Sequence, residues 1–315
     1  MLLTPVALFT YNRPEHTRRV LSSLEQCSQL EACRIYIFCD AARTPAHQSA
    51  VEASRSVVRD FAPRIGAQVI ERDKNLGLAR SIVEGVTSLI REYGRIIVLE
   101  DDLILSPDFL DYMLQGLDRF QDNKQVYQIS GYIFPISPTP LKDTFFLPLI
   151  TTWGWATWER AWQVFDWNPP QALERIADEQ TRKRFDLDDS YPYADMLKQR
   201  LAGQNDSWGI LWWYAVFNAD GLVLYPKKSL VRNEGFDGTG THSGGNRAFA
   251  QSIYTDVSRG HRPVPLNFPS SIEVDPVIWA NVKAFLRNQQ KQVQGYSMLR
   301  RLRRKLSSAL KGSNA

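Results

Sequence analysis

One apolar strand that runs into three acids constrains this chain more than any other feature. Residues 95–103 read Arg-Ile-Ile-Val-Leu-Glu-Asp-Asp-Leu, so four apolar residues directly precede Glu100, Asp101 and Asp102. Such a run predicts a strand that is buried on both faces. Adjacent carboxylates at its end repel one another unless a positive charge lies there. The pattern predicts either a site for a divalent cation and the phosphates it carries, or a cap in which Asp101 or Asp102 begins a helix.

Three more apolar runs, each followed by a helical pattern, precede this strand, which predicts an α/β fold with a mostly parallel sheet. The four predicted strands are residues 6–9, 34–40, 67–72 and 95–100. Their polar ends are Thr10, Asp40, Arg72 and Glu100. Because parallel strands end at the same edge, we expect these side chains to meet in one cleft. The chain lacks G-x-G-x-x-G after its first strand and has no G-x-x-x-x-G-K-[ST], which disfavours dinucleotide dehydrogenases and P-loop enzymes.

Composition places the chain among ordinary globular proteins. Its 315 residues are enough for one large α/β domain or two small ones. No apolar run is long enough to span a bilayer, no signal peptide is recognisable, and the three cysteines lack metal-site spacing, so we expect a reduced, cytoplasmic setting. Six of the 38 basic residues lie in residues 296–315. The remainder holds 32 basic and 34 acidic residues, which argues against a nucleic-acid-binding protein.

Four segments together resemble a known enzyme family. They are Phe9-Thr10-Tyr11-Asn12-Arg13-Pro14, Asp40, Asn75-Leu76-Gly77-Leu78-Ala79-Arg80 and Leu99-Glu100-Asp101-Asp102. In this order they resemble a glycosyltransferase of the GT-A fold. The likeness is to family-2-like bacterial sugar transferases and, in its Glu-Asp-Asp form, to the N-acetylglucosaminyltransferase I group. It spans roughly residues 4–245.

The resemblance implies where the nucleotide of a nucleotide-sugar donor binds. Thr10, Asn12 and Arg13 would line the nucleotide site, and Asp40 would contact the base or the ribose. Asn75 belongs to the same donor-binding set.

The resemblance also implies a diphosphate and metal site. Arg72 and Arg80 would lie near the diphosphate, and Asp102, the last acid of the trio, would bind Mn²⁺ or Mg²⁺. Glu100 stands where a strict D-x-D motif has an aspartate, so Glu100 and Asp101 are assigned to the donor sugar or the ribose rather than to the metal.

A concentration of tryptophans suggests the acceptor site. Trp155, Trp158 and Trp162 recur at helical spacing, which predicts a packed helix face for Trp158 and Trp162. Trp153 and Trp155 flank Gly154 and are the candidates for a wall of the sugar site. Indole rings offer flat apolar faces and a hydrogen-bond donor, which suit a pyranose. The family resemblance includes a Gly-Trp-Ala-Thr-Trp-like segment at this place.

Asp206 is the candidate catalytic base. It precedes an apolar stretch, residues 209–217, that predicts a buried helix, so either Asp206 or Ser207 could simply be the N-cap. An inverting sugar transfer needs one carboxylate that takes the proton from the acceptor hydroxyl. The resemblance places an acid with that role in this segment, with Glu234 and Asp237 as alternatives.

Two features near the C-terminal side complete the candidate set. His242 follows a glycine-rich run, and a histidine in a loop is usually solvated; the resemblance implies a second contact to the metal or a phosphate. In residues 296–315, leucines fall on one helical face and basic residues on the others, which predicts either a peripheral membrane contact or a solvated tail.

The sequence therefore predicts an α/β, GT-A-type chain with a nucleotide-sugar half (1–135), a Trp-rich acceptor and catalytic half of the same domain (136–270) and C-terminal helices with a basic amphipathic tail (271–315). The predicted activity is metal-dependent, inverting transfer of a hexosyl or N-acetylhexosaminyl group. The donor would be a UDP-sugar, and the acceptor would be a hydroxyl of a glycan in surface polysaccharide synthesis. The glycan is either free or linked to a lipid. The alternatives are a sugar-1-phosphate nucleotidyltransferase, although residues 10–14 contain no glycine, and a non-catalytic glycan-binding protein.

Overall fold

The computed structural model of the chain describes residues 3–136, 143–237, 249 and 266–292. In these ranges the chain forms an eight-stranded mixed sheet with the order β3-β2-β1-β4-β8-β6-β9-β7, and a separate ribbon of β10 and β5. Four of the seven pairings in the large sheet are parallel. The fold is therefore α/β with a mostly parallel sheet flanked by helices, as predicted.

The strands are β1 Thr4–Thr10, β2 Cys33–Cys39, β3 Gln68–Glu71, β4 Arg95–Glu100, β5 Leu103–Leu105, β6 Val126–Ser130, β7 Thr144–Leu147, β8 Trp155–Trp158, β9 Leu222–Pro226 and β10 Val231–Asn233. The α-helices are α1 Pro14–Glu25, α2 Gln48–Phe61, α3 Leu78–Tyr93, α4 Phe109–Arg119, α5 Glu159–Trp162, α6 Ala172–Arg175, α7 Glu179–Phe185, α8 Tyr193–Leu201 and α9 Trp208–Asn218. Residues 276–292 are also helical. None of the helices in the described ranges combines the length and the apolar character that crossing a bilayer requires.

The parallel half of the sheet contains the strands that the sequence predicted. β3, β2, β1 and β4 are neighbours and run in the same direction. The four apolar residues of β4, from Ile96 to Leu99, are completely buried, as the unbroken apolar run predicted. Helix α3 approaches β1 so closely that a Cβ on Gly85 would lie 2.8 Å from the Phe9 ring. Glycine is needed at this crossing because of that contact.

Strand β8 joins the two halves of the chain. It lies antiparallel between β4 and β6, although it follows β7 in sequence. The helical spacing of Trp155 and Trp158 was therefore misleading, because both belong to this strand. Residues three apart point to opposite faces of a strand. Trp158 donates to the Leu117 carbonyl of α4, while Trp155 stacks on Trp208 of α9, so helices bury both rings.

After the acidic trio the chain continues as a strand. Leu103–Leu105 pairs antiparallel with Val231–Asn233, and the next helix begins at Phe109. Asp101 and Asp102 are therefore not helix caps, and this alternative is excluded. The ribbon brings the segment after β10 back to the end of β4, where the Glu234 N–H donates to the Asp102 carbonyl at 2.8 Å.

Candidate functional site at the carboxyl edge of the sheet

The parallel strands deliver the predicted polar residues to one edge. In the register of the sheet Thr10 pairs with Cys39, Phe9 with Glu100, and Cys39 with Glu71. Thr10, Asp40, Arg72 and the acidic trio therefore lie at or directly beyond the same ends of neighbouring strands. Thr10 is 5% exposed, and its hydroxyl lies 3.4 Å from the Phe38 carbonyl, so it belongs to the floor of this edge.

Arg13 neutralises part of the acidic trio. Its Nη2 lies 2.5 Å from Asp101 Oδ1 and 3.2 Å from Asp102 Oδ2. The two carboxylates raise the pKa of Arg13 above its ordinary value, against the lowering effect of burial. Its Nη1 is buried and has no hydrogen bond among the described residues. Arg13 thus contacts the acids themselves, while its predicted contact with a nucleotide stays a prediction.

The trio keeps an excess of negative charge after this pairing. Burial, followed by the charges of Asp102 and Asp101, raises the pKa of Glu100 to about 8. Burial also raises the pKa of Asp101 to about 6, although the Arg13 charge opposes it. Three carboxyl groups face one guanidinium, so a further cation would be favourable here.

Asp102 is the member of the trio best placed to meet a cation. Its side chain is 15% exposed, against 6% for Asp101. Asn233 Nδ2 lies 3.4 Å from Asp102 Oδ1, and a Cβ on Gly235 would come within 2.4 Å of Asp102 Oδ2. The Asp102 carboxylate can therefore keep its present position only if residue 235 is glycine. The described residues contain no group of three or more His, Cys, Asp or Glu side chains arranged around a metal.

The chemistry of this edge nevertheless fits a hard cation. Carboxylate oxygens suit Mg²⁺ or Mn²⁺, and Mg²⁺ sites usually take one or two carboxylates and complete the shell with water and substrate phosphates. Asp102 supplies such a carboxylate. His242, the other predicted ligand, lies outside the described residues.

Asp40 holds the loop in front of α3. One carboxylate oxygen accepts from the Ala41 N–H, and the two oxygens together accept from the Leu76 and Gly77 N–H groups and from Asn75 Nδ2, at 2.9–3.2 Å. The Asn75 amide also donates to the Ala41 carbonyl. Asp40 is 5% exposed, so the structure assigns it a loop-positioning contact, and its predicted contact to a base or ribose stays a prediction.

Two arginines lie beside this loop. Arg80 is exposed in the first turn of α3 and has no ion pair among the described residues. Arg72 lies over the Phe38 ring, and its Nη1 is 3.6 Å from Glu84 Oε2. Arg55, which no sequence pattern indicated, also belongs to this edge: its Nη2 donates to the Arg72 carbonyl at 2.6 Å and lies 3.5 Å from the Asp40 carbonyl. Nothing in the helical pattern of residues 48–61 distinguishes it from a solvated arginine.

The structure separates Asp206 from the helix cap. Ser207 is the N-cap of α9, and its hydroxyl accepts from the Ile210 N–H at 3.3 Å. Asp206 is exposed, and its carboxylate has no hydrogen bond or ion pair in the part of the chain that is described. Its Oδ2 lies 3.8 Å from the position that a Cβ on Gly77 would occupy. The predicted base therefore faces the N-terminus of α3 at the sheet edge.

Glu234, unlike Asp206, has an ion-pair partner for each carboxylate oxygen. Its two carboxylate oxygens are engaged by Arg19 of α1 and by Arg232 of β10. Both oxygens of Glu234 are therefore already engaged by guanidinium groups, whereas the Asp206 carboxylate has no such partner among the described residues. Nothing is described of the Asp237 side chain.

An aromatic cavity of about 550 Å³ opens next to Asp206. Ser207 and Gly209 form one part of its rim, and Trp153 and Phe236 form another. Trp153 is partly exposed, packs edge-on against Tyr132 and Phe236 and lines this cavity; that the cavity is the sugar site stays a prediction.

Trp155 does not line this cavity, which corrects its assignment to the acceptor site. Its ring is 0% exposed and packs among Trp162, Trp208 and Trp212 in the core. The cavity instead includes Tyr191 and Tyr193, which sequence analysis did not single out.

Comparisons with known proteins identify no family. No protein-family profile matches the chain, and no curated protein matches it. Among solved structures, the chain is similar to the mannosyltransferase PcManGT from Pyrobaculum calidifontis in complex with GDP-Man and Mn²⁺. The identity is 12%, the TM-score is 0.40, and the match covers 69% of this chain and 73% of that one.

The chain is also similar to S. aureus TarS, at 13% identity and a TM-score of 0.38, over 59% of this chain and 34% of that one. TarS residues 1–349 match at 12% identity and a TM-score of 0.36, over 57% of this chain and 49% of that one. The chain thus spans between a third and half of these TarS chains. At such scores the sheet edge and the cavity, rather than the likeness, carry the functional argument.

Proposed function

We propose that this chain is a metal-dependent, inverting glycosyltransferase of the GT-A type that moves a sugar from a nucleotide donor to a hydroxyl of a glycan. One observation carries the proposal. Asp206, a carboxylate without a partner among the described residues, lies between Gly77 at the polar sheet edge and Ser207 at the rim of the aromatic cavity. A base in this position can meet an acceptor hydroxyl on one side and a donor on the other.

The proposed reaction follows from that placement. The Asp206 carboxylate accepts the proton of the acceptor hydroxyl, and the oxygen attacks the anomeric carbon of the donor sugar from the face opposite the diphosphate. The bond from the anomeric carbon to the diphosphate oxygen breaks, and the nucleoside diphosphate leaves with the electron pair. One new glycosidic bond forms, and the configuration at the anomeric carbon is inverted.

The donor's diphosphate would bind on the side of the anomeric carbon away from Asp206, with Arg72 and Arg80 as its cationic partners. Arg80 is exposed in the first turn of α3, and Arg72 lies across the loop in front of that helix. The Asp40 carboxylate holds this loop by accepting from the Leu76 and Gly77 N–H groups and from the Asn75 side-chain amide.

Asp102 would hold the cation. When bound, Mn²⁺ or Mg²⁺ would neutralise the diphosphate and so stabilise the leaving group. Glu100 and Asp101 would then face the donor sugar or the ribose. A UDP donor, the contact of His242 and a lipid-linked acceptor that engages residues 296–315 are finer parts of the same proposal.

Donor binding tests the proposal first. We would titrate UDP-, GDP- and dTDP-linked sugars into the full chain by calorimetry, with Mn²⁺ and with chelator, and follow donor hydrolysis and transfer. We expect one donor to bind with Mn²⁺ and to lose its affinity in Asp102→Ala. Asp206→Asn should bind that donor unchanged and transfer about 10²- to 10⁴-fold more slowly. Asp195→Asn, an exposed acid of α8, is the matched control.

Two results would contradict the proposal. If no nucleotide binds under any condition, the chain is not a transferase, and the aromatic cavity would then favour a non-catalytic glycan-binding protein. If Asp206→Asn transfers sugar at the wild-type rate, another group is the base.

A further inference from the structure

We infer that the aromatic cavity beside Asp206 binds an uncharged saccharide, so that the acceptor unit which enters it carries no phosphate, carboxylate or ammonium group. This inference rests on the proposed function, because it names the acceptor class of that same site. The cavity volume of about 550 Å³ lies within the usual range for small-ligand pockets.

The residues that line the cavity indicate an uncharged ligand. Seventeen of the described residues line the cavity, of which eight are aromatic and none is Asp, Glu, Lys, Arg or His. The polar sheet edge, in contrast, gathers Arg13, Asp40, Arg72 and the acidic trio. A charged ligand group inside the cavity would lose its hydration without a charge among these seventeen residues to pair with, which is strongly unfavourable. Flat apolar rings instead suit the C–H faces of a pyranose.

Uncharged hydrogen-bonding groups remain available in the cavity wall. The hydroxyl groups of Tyr191 and Tyr193 make no hydrogen bond to any described residue. Trp213, which also lines the cavity, has a buried Nε1 without a hydrogen-bond partner in the described ranges. Buried polar groups such as the Trp213 Nε1 are normally paired, so this group and the hydroxyls of the two partly exposed tyrosines are suited to the hydroxyls of a neutral sugar.

The segment before the two tyrosines is held in a strained conformation. Leu187, Asp188 and Asp189 have φ values of 55°, 55° and 58°, so three consecutive non-glycine residues lie in the left-handed region. Lys283 Nζ fixes this turn through the Asp188 carboxylate at 2.6 Å, and Arg287 Nη2 lies 3.1 Å from Ser190 Oγ.

A helix from the far end of the described chain therefore fixes the turn that leads into Tyr191 and Tyr193. Strained backbone persists where its surroundings determine it, and it clusters at ligand sites. The strain thus indicates a tyrosine pair that is placed for a ligand.

Two lining residues are sequence neighbours of residues at the sheet edge. Ser207 at the rim directly follows Asp206. Phe236, which also lines the cavity, directly follows Gly235, whose Cα lies against the Asp102 carboxylate. A sugar in the cavity would therefore present a hydroxyl towards the base and the donor.

Binding of matched saccharides to the full chain, without a donor, tests the inference. The neutral probes are the methyl glycosides of glucose, galactose, N-acetylglucosamine and rhamnose. The charged probes are glucuronate, galacturonate, glucosamine and glucose 6-phosphate. We expect at least one neutral probe to bind in saturation-transfer NMR and calorimetry, and its charged counterpart to bind at least tenfold more weakly.

Two variants test whether the saccharide binds in the cavity. Tyr193→Phe should weaken the neutral probe about three- to tenfold, the value of one hydrogen bond. It should leave the free energy of unfolding unchanged, because the removed hydroxyl has no described partner. Met196→Lys introduces a cation into the wall and should improve binding of glucuronate relative to the neutral probe; Met196→Leu is its control.

The outcomes separate this inference from the proposed function. The inference is overturned if wild type binds charged probes as well as neutral ones, if no probe binds, or if Tyr193→Phe has no effect on affinity. Donor binding at Asp102 is measured on the same protein preparation. A chain that binds a donor but no neutral sugar keeps the transferase proposal and loses only the cavity assignment.

Discussion

Asp40 offers a sharp test of how the sheet edge is built. Asp40→Asn keeps the size of the side chain but replaces one acceptor oxygen with an NH₂ donor. The two oxygens accept from Ala41, Leu76 and Gly77 N–H groups and from Asn75 Nδ2. Whichever way the new amide is oriented, its NH₂ faces N–H donors that the carboxylate now satisfies.

The expected cost follows from the hydrogen bonds that the amide can no longer accept. A hydrogen bond to a charged group contributes about 1.5–3 kcal/mol, and two are broken or weakened in either orientation. We therefore expect Asp40→Asn to lower the free energy of unfolding by about 3 kcal/mol. The stability of an ordinary domain is about 5–15 kcal/mol, so the variant should still fold.

Urea unfolding of the full chain measures this change, with the m-value held as a check on the two-state analysis. Asp73→Asn is the matched control, because Asp73 is exposed in the same loop and has no hydrogen bond or ion pair among the described residues. It should change stability by less than about 0.5 kcal/mol. Hydrogen exchange should rise at Leu76 and Gly77 in Asp40→Asn alone. A loss below about 1 kcal/mol would refute the role of Asp40 as the holder of this loop.

Three further substitutions test other parts of the site. Gly235→Ala should displace the Asp102 carboxylate and weaken the Mn²⁺-dependent rise in melting temperature, measured by calorimetry with and without chelator; an unchanged rise would exclude the contact. Trp155→Ala should cost about 3–5 kcal/mol in urea unfolding, whereas Trp153→Ala should cost less and reduce saccharide affinity; equal costs would contradict the assignment of the two rings. Arg13→Gln removes the guanidinium partner of the buried Asp101 and of the partly exposed Asp102, so unfolding should become easier by about 3–5 kcal/mol; a loss within about 0.5 kcal/mol would show that the pair is not needed.

Sequence patterns predicted the parallel half of the fold and the position of its polar edge. The apolar run of β4 is unambiguous because both of its faces are buried, so no polar residue interrupts it. The order of strands and the carboxyl-end rule then place Thr10, Asp40 and Arg72 together without any knowledge of contacts. The helix predicted from the spacing of the tryptophans was wrong for a related reason. Trp155 and Trp158 lie on opposite faces of a strand that helices cover on both sides, and burial on both faces removes the alternation that identifies a strand.

The contacts of individual side chains could not be predicted from the sequence as well as the fold. The sequence does not show that the Asp40 carboxylate is surrounded by N–H groups, because those groups come from a loop 35 residues later. Either Asp206 or Ser207 could have capped α9, and only the backbone geometry selects Ser207. Tyr191 and Tyr193 carry no pattern of their own. Their place in the cavity depends on three left-handed residues and on a helix about 90 residues further along the chain.

The position of β8 has a consequence for how the protein is made. β4 is a central strand only because β8 pairs with its open side, and β8 begins 55 residues after β4 ends. Until residues 155–158 have left the ribosome, Ile96 to Leu99 form an exposed apolar edge of the kind that recruits other chains. A fragment of residues 1–135 would end with this edge uncovered and should aggregate. We therefore do not expect residues 1–135 to fold as an independent unit when they are transplanted into another protein.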